Sequence, residues 1–232
     1  MRDPLEDVFW GALTTSQQHL ALAHGQARRY LPEVAPFAAV ESQTPEAMQD
    51  LRALMEPDES VYLTGLRPVE LAGLRRGPAV PALQMIFPEA APLPPVPAAI
   101  LIEALSCAAA VEMVALIDVA YPGFFRKDTC RMGRYYGVRS PDGTLIAMGG
   151  ERVVLGPYRE VSGLCTLPSH AGEGLGTALL GRILADQRAN QAISWLYVLE
   201  SNRRAVNLYL HLGFEVLRRV DLYRITRVEA GQ

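Results

Sequence analysis

The spacing of apolar positions along the chain changes several times, and each change marks an element. Residues 4–23 have helical character, with Thr15 or Ser16 placed to cap a second helical segment and Leu20 and Leu22 defining no decisive face. Residues 37–40 and 61–63 read as short strands. Residues 44–55 read as a helix capped by Thr44 with Glu46 in its first turn, and Leu83-Gln84-Met85-Ile86-Phe87 alternates like a third strand. Between Pro88 and Pro97 the chain carries five prolines, which lack backbone donors and suit neither a sheet nor a helix interior. A boundary is placed there, separating an N-terminal α/β region (1–97) from a second domain (98–232).

Past the prolines, Ile100-Leu101-Ile102 suits a strand. Ser106 can cap a helix whose Val111, Val114, Leu116 and Ile117 lie near one stripe. A hairpin is predicted from residues 135–139 and 145–152 around the turn Ser140-Pro141-Asp142-Gly143. Then come a strand over 161–167, a helix over 174–189 with Leu175, Leu179 and Ile183 on one face, and an apolar strand over 193–199. A short helix over 202–212 stops at Gly213, and a last strand spans 216–225.

Composition narrows the class. Half of the 232 residues are hydrophobic, enough for one large core or two modest ones, and the net charge of -3 argues against nucleic acid as a partner. Residues 1–97 hold seven Arg against twelve acidic residues, and residues 98–232 hold fifteen basic against thirteen acidic, a difference that favours two units. Lys127 is the single lysine and lies in no glycine-rich phosphate loop. Cys107, Cys130 and Cys165 are too few and too scattered for a disulfide framework or a paired zinc site, so no metal is expected and a reducing cytoplasm is the simplest compartment. Asp3, Glu6 and Asp7 give the wrong charge order for a secretory signal. The longest apolar region, 98–120, is broken by Glu103, Glu112 and Asp118, and an acidic group at a membrane centre costs roughly 2.5–3.5 kcal/mol. The expectation is a soluble, cytoplasmic protein with no membrane partner.

The chemically unusual residues sit at two joints. In the first, the apolar run Leu164-Cys165-Thr166-Leu167 stops at Pro168, and Gly172, Gly174 and Gly176 then open an amphipathic helix. Glycines allow close approach to the backbone, and unpaired N–H groups at a helix start favour a phosphate anion. The second joint runs from Asn202 to Phe214. Together they resemble the acetyl-CoA signature of the GNAT superfamily of acyl-CoA-dependent N-acyltransferases. Gly174 and Gly176 match the family's two small residues, Gly172 fills a position that is often glycine, and Ala171 departs from the usual Gln or Arg. Asn202, Ala205, Leu208-Tyr209 and Gly213-Phe214 match the second block at every position. The resemblance covers about residues 98–227. It implies a mixed, mostly antiparallel sheet with two splayed central parallel strands. The element order of residues 1–97 is compatible with a decayed half of the same fold.

Several site residues follow from the resemblance. Leu164, Cys165 and Thr166 would hold the pantetheine arm through their backbone. Gly172, Glu173, Gly174, Leu175, Gly176 and Thr177 would hold the pyrophosphate, and Asn202 would contact the arm while capping its helix. Tyr209 stands where the family commonly supplies a proton to the leaving sulfur, and a phenol near pKa ~10 can donate to a thiolate of pKa ~8.5. Its plainer role is a core tyrosine beside Ala205, Leu208 and Leu212. Glu160, which strand alternation puts on one face with Ser162, Leu164 and Thr166, matches the offset of a general base in the histone-acetylating branch. Its plainer role is an exposed carboxylate beside Arg159. Glu151, or an ordered water chain, is an alternative base. Cys165 with His170 shows no triad logic for a covalent route.

The expected activity is transfer of an acetyl group from acetyl-CoA to a primary amine of a small molecule or peptide. The alternative is a CoA-binding sensor or scaffold without catalysis, which Ala171 keeps in view. A Rossmann dinucleotide site fares poorly because Thr177 stands where a glycine is needed. Residues 1–97 are expected to pack on the second domain as an acceptor-site wall, with Phe124-Phe125-Arg126 as the facing loop. Acceptor identity, acyl length and oligomeric state have no signature in the sequence.

Overall fold

A computed structural model describes residues 3–65, 67–119 and 122–229, so Ala120, the last position of the apolar region, lies outside the described residues. Helix α1 (Val8–Thr14) leads into a three-stranded antiparallel sheet of β1 (Ala21–His24), β2 (Ala27–Tyr30) and β3 (Ala38–Val40). Residues 4–23, expected to hold two helical segments, form α1, a single helical turn at Gln18–Leu20 and then the first arm of a tight hairpin, turned at Gly25 with φ 44°. Helix α2 (Pro45–Ala53) starts as expected, its Thr44 hydroxyl accepting from the Ala47 N–H at 3.2 Å.

The remaining strands are β4 (Ser60–Gly65), β5 (Leu74–Ile86), β6 (Glu103–Leu105), β7 (Tyr135–Arg139), β8 (Leu145–Leu155), β9 (Tyr158–Thr166), β10 (Ile193–Leu199) and β11 (Glu215–Arg227). They form one eight-stranded sheet in the order β4-β11-β5-β10-β9-β8-β7-β6. Every pairing is antiparallel except β9 with β10. Helices α3 (Ala110–Asp118), α4 (Leu175–Ala189) and α5 (Arg203–His211) connect them. The strand expected over 100–102 forms three residues later, as β6, where Glu103, Ala104 and Leu105 pair with β7.

This order corrects the division at Pro97. Strand β5 lies between β10 and β11, pairing with both, so residues 60–86 supply strands to the same sheet as residues 103–227. The N-terminal segment is therefore not a separate unit, since its β4 and β5 are strands of the large sheet. Pro78 and Pro81 can sit in this interior strand because β10 pairs only with Ala82–Ile86, leaving the first part of β5 with β11 as its one neighbour.

Strand alternation sorts the two faces. Tyr136, Ala147, Val161 and Leu196 pack with α4 and α5, whereas Tyr135, Met148, Val153 and Trp195 pack with α3, α1 and the small sheet. The proline segment lies against α4, where a Cβ on Gly181 would come within 2.5 Å of the Pro94 carbonyl, and Arg188 donates to the Ala91 carbonyl at 2.8 Å. Cys107 and Cys130 are joined in a disulfide with a Cα–Cα distance of 5.4 Å. Their separation of 23 positions hid the pairing in the sequence; α3 and the turns after it bring them together. Among the described residues no helix is long and apolar enough to cross a membrane.

Candidate functional site

The site begins where the sheet stops being continuous. The parallel ladder runs through Ile193–Tyr158 and Ser194–Arg159 and ends at Trp195 opposite Glu160, although β9 continues to Thr166 and β10 to Leu199. Beyond that point β10 stays paired to β5 and β9 to β8, so the two strands splay and the inner edge of residues 161–166 has no strand partner. Those backbone groups, among them Leu164, Cys165 and Thr166, are available to a ligand that can accept and donate along an extended arm.

Strand β9 also carries an extra residue. Between Met148 and Gly150 its partner advances two positions while β9 advances three, from Cys165 to Ser162, and Gly163 takes the left-handed φ of 65° that such a bulge requires. The bulge breaks alternation, and this corrects the expected grouping of Glu160 with Leu164. Val161 and Leu164 both pack in the α4 core, whereas Glu160 lies on the opposite face.

After β9 the chain makes a single turn at Pro168–His170 and passes through Ala171, Gly172 and Glu173 to Gly174, the N-cap of α4. Gly172 and Gly174 have φ of 92° and 77°, and a Cβ on either would meet nothing within 4 Å. These glycines are therefore demanded by backbone conformation, and the space beside them is open. With Leu175, Gly176 and Thr177 they present the first N–H groups of a fifteen-residue helix, at the positive end of its dipole. Glu173 is exposed and pairs with His170 Nδ1 at 3.1 Å, so its carboxylate has a local partner.

Asn202 caps α5, its Oδ1 accepting from the Ala205 N–H at 3.1 Å. Two turns on, the half-buried Tyr209 lies edge-on to Phe214 at 5.5 Å. Both residues line a cavity of about 220 Å³ that also reaches Gly163 and Leu164 on β9 and Val198 and Leu199 on β10. The splayed strands, the helix cap and Tyr209 thus meet in one space. Its far wall comes from Phe37 and Thr64 of the N-terminal segment and Phe124, Phe125 and Thr129 of the loop after α3. That loop is tied down: Thr129 donates to the Val34 carbonyl at 2.6 Å, the Asp128 N–H to Glu33 at 3.0 Å, and Arg126 to Pro32.

Glu160 is placed differently from its expected role. It is 0% exposed and lies off the cavity wall, with both carboxylate oxygens taken by Arg152, whose Nε and Nη2 donate at 2.9 and 2.5 Å. Burial would lower the Arg152 pKa, but the Glu160 charge and hydrogen bonds outweigh it and hold it above the ordinary value. Glu151 accepts from Gln187 and the Arg134 N–H and is likewise off the wall. Among the described residues on the wall, Arg152 alone carries a charge. The sequence reading missed it, as it missed Phe37, Thr64 and Tyr197; the available signal was a charged Glu151-Arg152 pair interrupting the apolar run of β8.

Cys165 does not have the character of a nucleophile. Burial pushes its thiol up to about 12, and a backbone hydrogen bond at Met148 offsets only part of that, so it is a thiol at neutral pH.

The comparisons with known proteins agree with this geometry. Residues 108–214 match the family model described as the acetyltransferase (GNAT) family. Among solved structures, a GNAT-family protein from Novosphingobium aromaticivorans is 34% identical, with a TM-score of 0.86 over 97% of this chain and 99% of its own. A GCN5-related N-acetyltransferase from Kribbella flavida is 19% identical at a TM-score of 0.56, covering 94% of this chain and 95% of its own. A tandem GNAT protein from the clavulanic acid biosynthesis pathway is 17% identical at 0.57, covering 87% and 78%. These last two share the fold. A comparison with curated proteins finds no match.

Proposed function

Because the chain belongs to the GNAT acetyltransferase family, whose members are acyltransferases, we propose that it transfers an acetyl group from acetyl-CoA to a primary amine by direct attack. The observation that carries this reading is the splay of β9 from β10, which opens an unpaired strand edge onto the cavity that holds Asn202 and Tyr209. The residues fit the thioester substrate. The backbone of Leu164, Cys165 and Thr166 would align the pantetheine arm, and the N–H groups from Gly172 to Thr177 would take the pyrophosphate, doing without the side chain that Ala171 lacks.

In the transfer the amine nitrogen attacks the thioester carbonyl, the C–S bond breaks, and the Tyr209 hydroxyl gives its proton to the departing sulfur. The amine's own proton passes to solvent, since neither Glu160 nor Glu151 reaches the cavity, and the Tyr209 phenolate takes a proton back from solvent. The apolar wall assists by disfavouring the ammonium form of the acceptor. Holding both reactants in one cavity makes the attack effectively intramolecular.

Calorimetry with CoA tests the binding half of the reading. Gly174→Val forces a β-branched residue into a left-handed conformation and is expected to abolish measurable affinity. Tyr209→Phe is expected to keep CoA affinity and lower acetyl-CoA turnover by ~10²–10⁴-fold. CoA binding without turnover of any amine would favour the non-catalytic sensor, and unchanged affinity in a folded Gly174→Val variant would remove the cofactor assignment.

A further inference from the structure

The wall of the cavity is chemically one-sided. Phe37, Phe124, Phe125, Tyr135 and Tyr197 surround it, no carboxylate lines it among the described residues, and its one charged member is Arg152. Arg152 lies 4.4 Å from the centroid of the Phe37 ring. Its charge is cancelled by the bidentate pair with buried Glu160, which uses Nε and Nη2 and leaves Nη1 without a hydrogen-bond acceptor among the described residues. A buried pair that is already neutral disfavours either added charge, because a second anion or cation there is desolvated without a counter-ion. An unengaged N–H pair belonging to a wall residue, by contrast, rewards a neutral oxygen.

We propose that the acceptor is a primary arylalkylamine, uncharged apart from the amine itself, whose ring packs among these aromatic side chains while a neutral oxygen accepts a hydrogen bond from Arg152. This rests on the acetyl-transfer reading and names its substrate class. Polyamines are disfavoured because no carboxylate meets their second cation, and free amino acids because their carboxylate would join a neutral pair. Arg152 is then a binding residue, and Glu160 positions it.

The test uses the full chain with acetyl-CoA and follows CoA thiol release for tyramine, phenylalaninamide, phenylalanine, spermidine and a lysine-containing peptide. Tyramine or phenylalaninamide is expected to exceed phenylalanine by about tenfold in kcat/KM and spermidine or the peptide by about 100-fold, the range a shaped pocket supplies. A preference for spermidine, the peptide or the free amino acid overturns the proposal, as does turnover of none of them. Acetyl-CoA affinity measured in parallel keeps the two failures apart, since intact cofactor binding with the wrong acceptor leaves the transfer reading standing. In the paired variant Arg152→Met with Glu160→Gln, which strands no charge, KM for tyramine is expected to rise about tenfold more than KM for phenethylamine, which lacks the oxygen. Equal effects on both amines reject the hydrogen bond to Arg152. Should the paired variant not fold, wild-type thermal shifts decide, with N-acetyltyramine stabilising more than N-acetylphenethylamine if the oxygen is recognised and no more if it is not.

Discussion

Glu160 and Arg152 are worth most to this protein as a pair. Their side chains are 1% and 13% exposed, and the guanidinium is packed against Phe37, so removing either charge leaves the other buried without a partner. Glu160→Gln is therefore expected to lower stability by about 3–5 kcal/mol, read from the denaturant midpoint. A variant with unaltered stability and a flattened pH–rate profile would instead return Glu160 to the role of base. Residue identity alone could not separate these outcomes. A glutamate at the start of a strand is legible in the sequence, whereas the arginine eight positions earlier that absorbs its charge is seen only once β8 and β9 lie side by side. Asn202 was readable for the opposite reason, because its capping bond closes within three residues.

At the level of elements, local chemistry was a good guide wherever the decisive contacts are local. The β7–β8 hairpin, the strand-loop-helix from β9 into α4, and the cap and stop of α5 all form where turn and cap residues put them. The hairpin of β1 and β2 was not visible, because Gly25 and Gln26 follow a run that also suits a helix. The length of β5 was hidden by Pro78, Pro81, Arg75 and Arg76, which are tolerated because that stretch is paired on one side. The bulge at Gly163 reverses which residues share a face, and no periodicity announces it. The Cys107–Cys130 bridge joins the start of α3 to the turn that carries Thr129 onto the cavity wall. Replacing both cysteines by serine is expected to destabilise the protein by about 2–4 kcal/mol, measured by thermal or denaturant unfolding under non-reducing conditions. Reductant should reproduce that loss in the wild type and leave the serine variant unaffected.

For the molecule as a whole, the decisive fact is that β5 separates β10 from β11. A chain reduced to residues 98–232 would retain both motifs yet lose the strand that joins its last two, along with the small sheet that covers Trp195 and Val153. It is expected to be insoluble or to lack cooperative unfolding by circular dichroism; a soluble fragment that binds CoA would show that the N-terminal strands are dispensable. The same arrangement sets a timetable for synthesis. Strand β5 ends at Ile86, but β10 is complete only at Leu199, so at typical elongation rates the strand waits on the order of 5–20 s for its first neighbour. During that interval its backbone donors and acceptors are unpaired, and a neighbouring nascent chain at the same stage offers matching edges. The protein's hazard thus falls during translation, before there is a site to protect, and its yield should follow the speed of the ribosome and the supply of chaperones more closely than the stability of the finished fold.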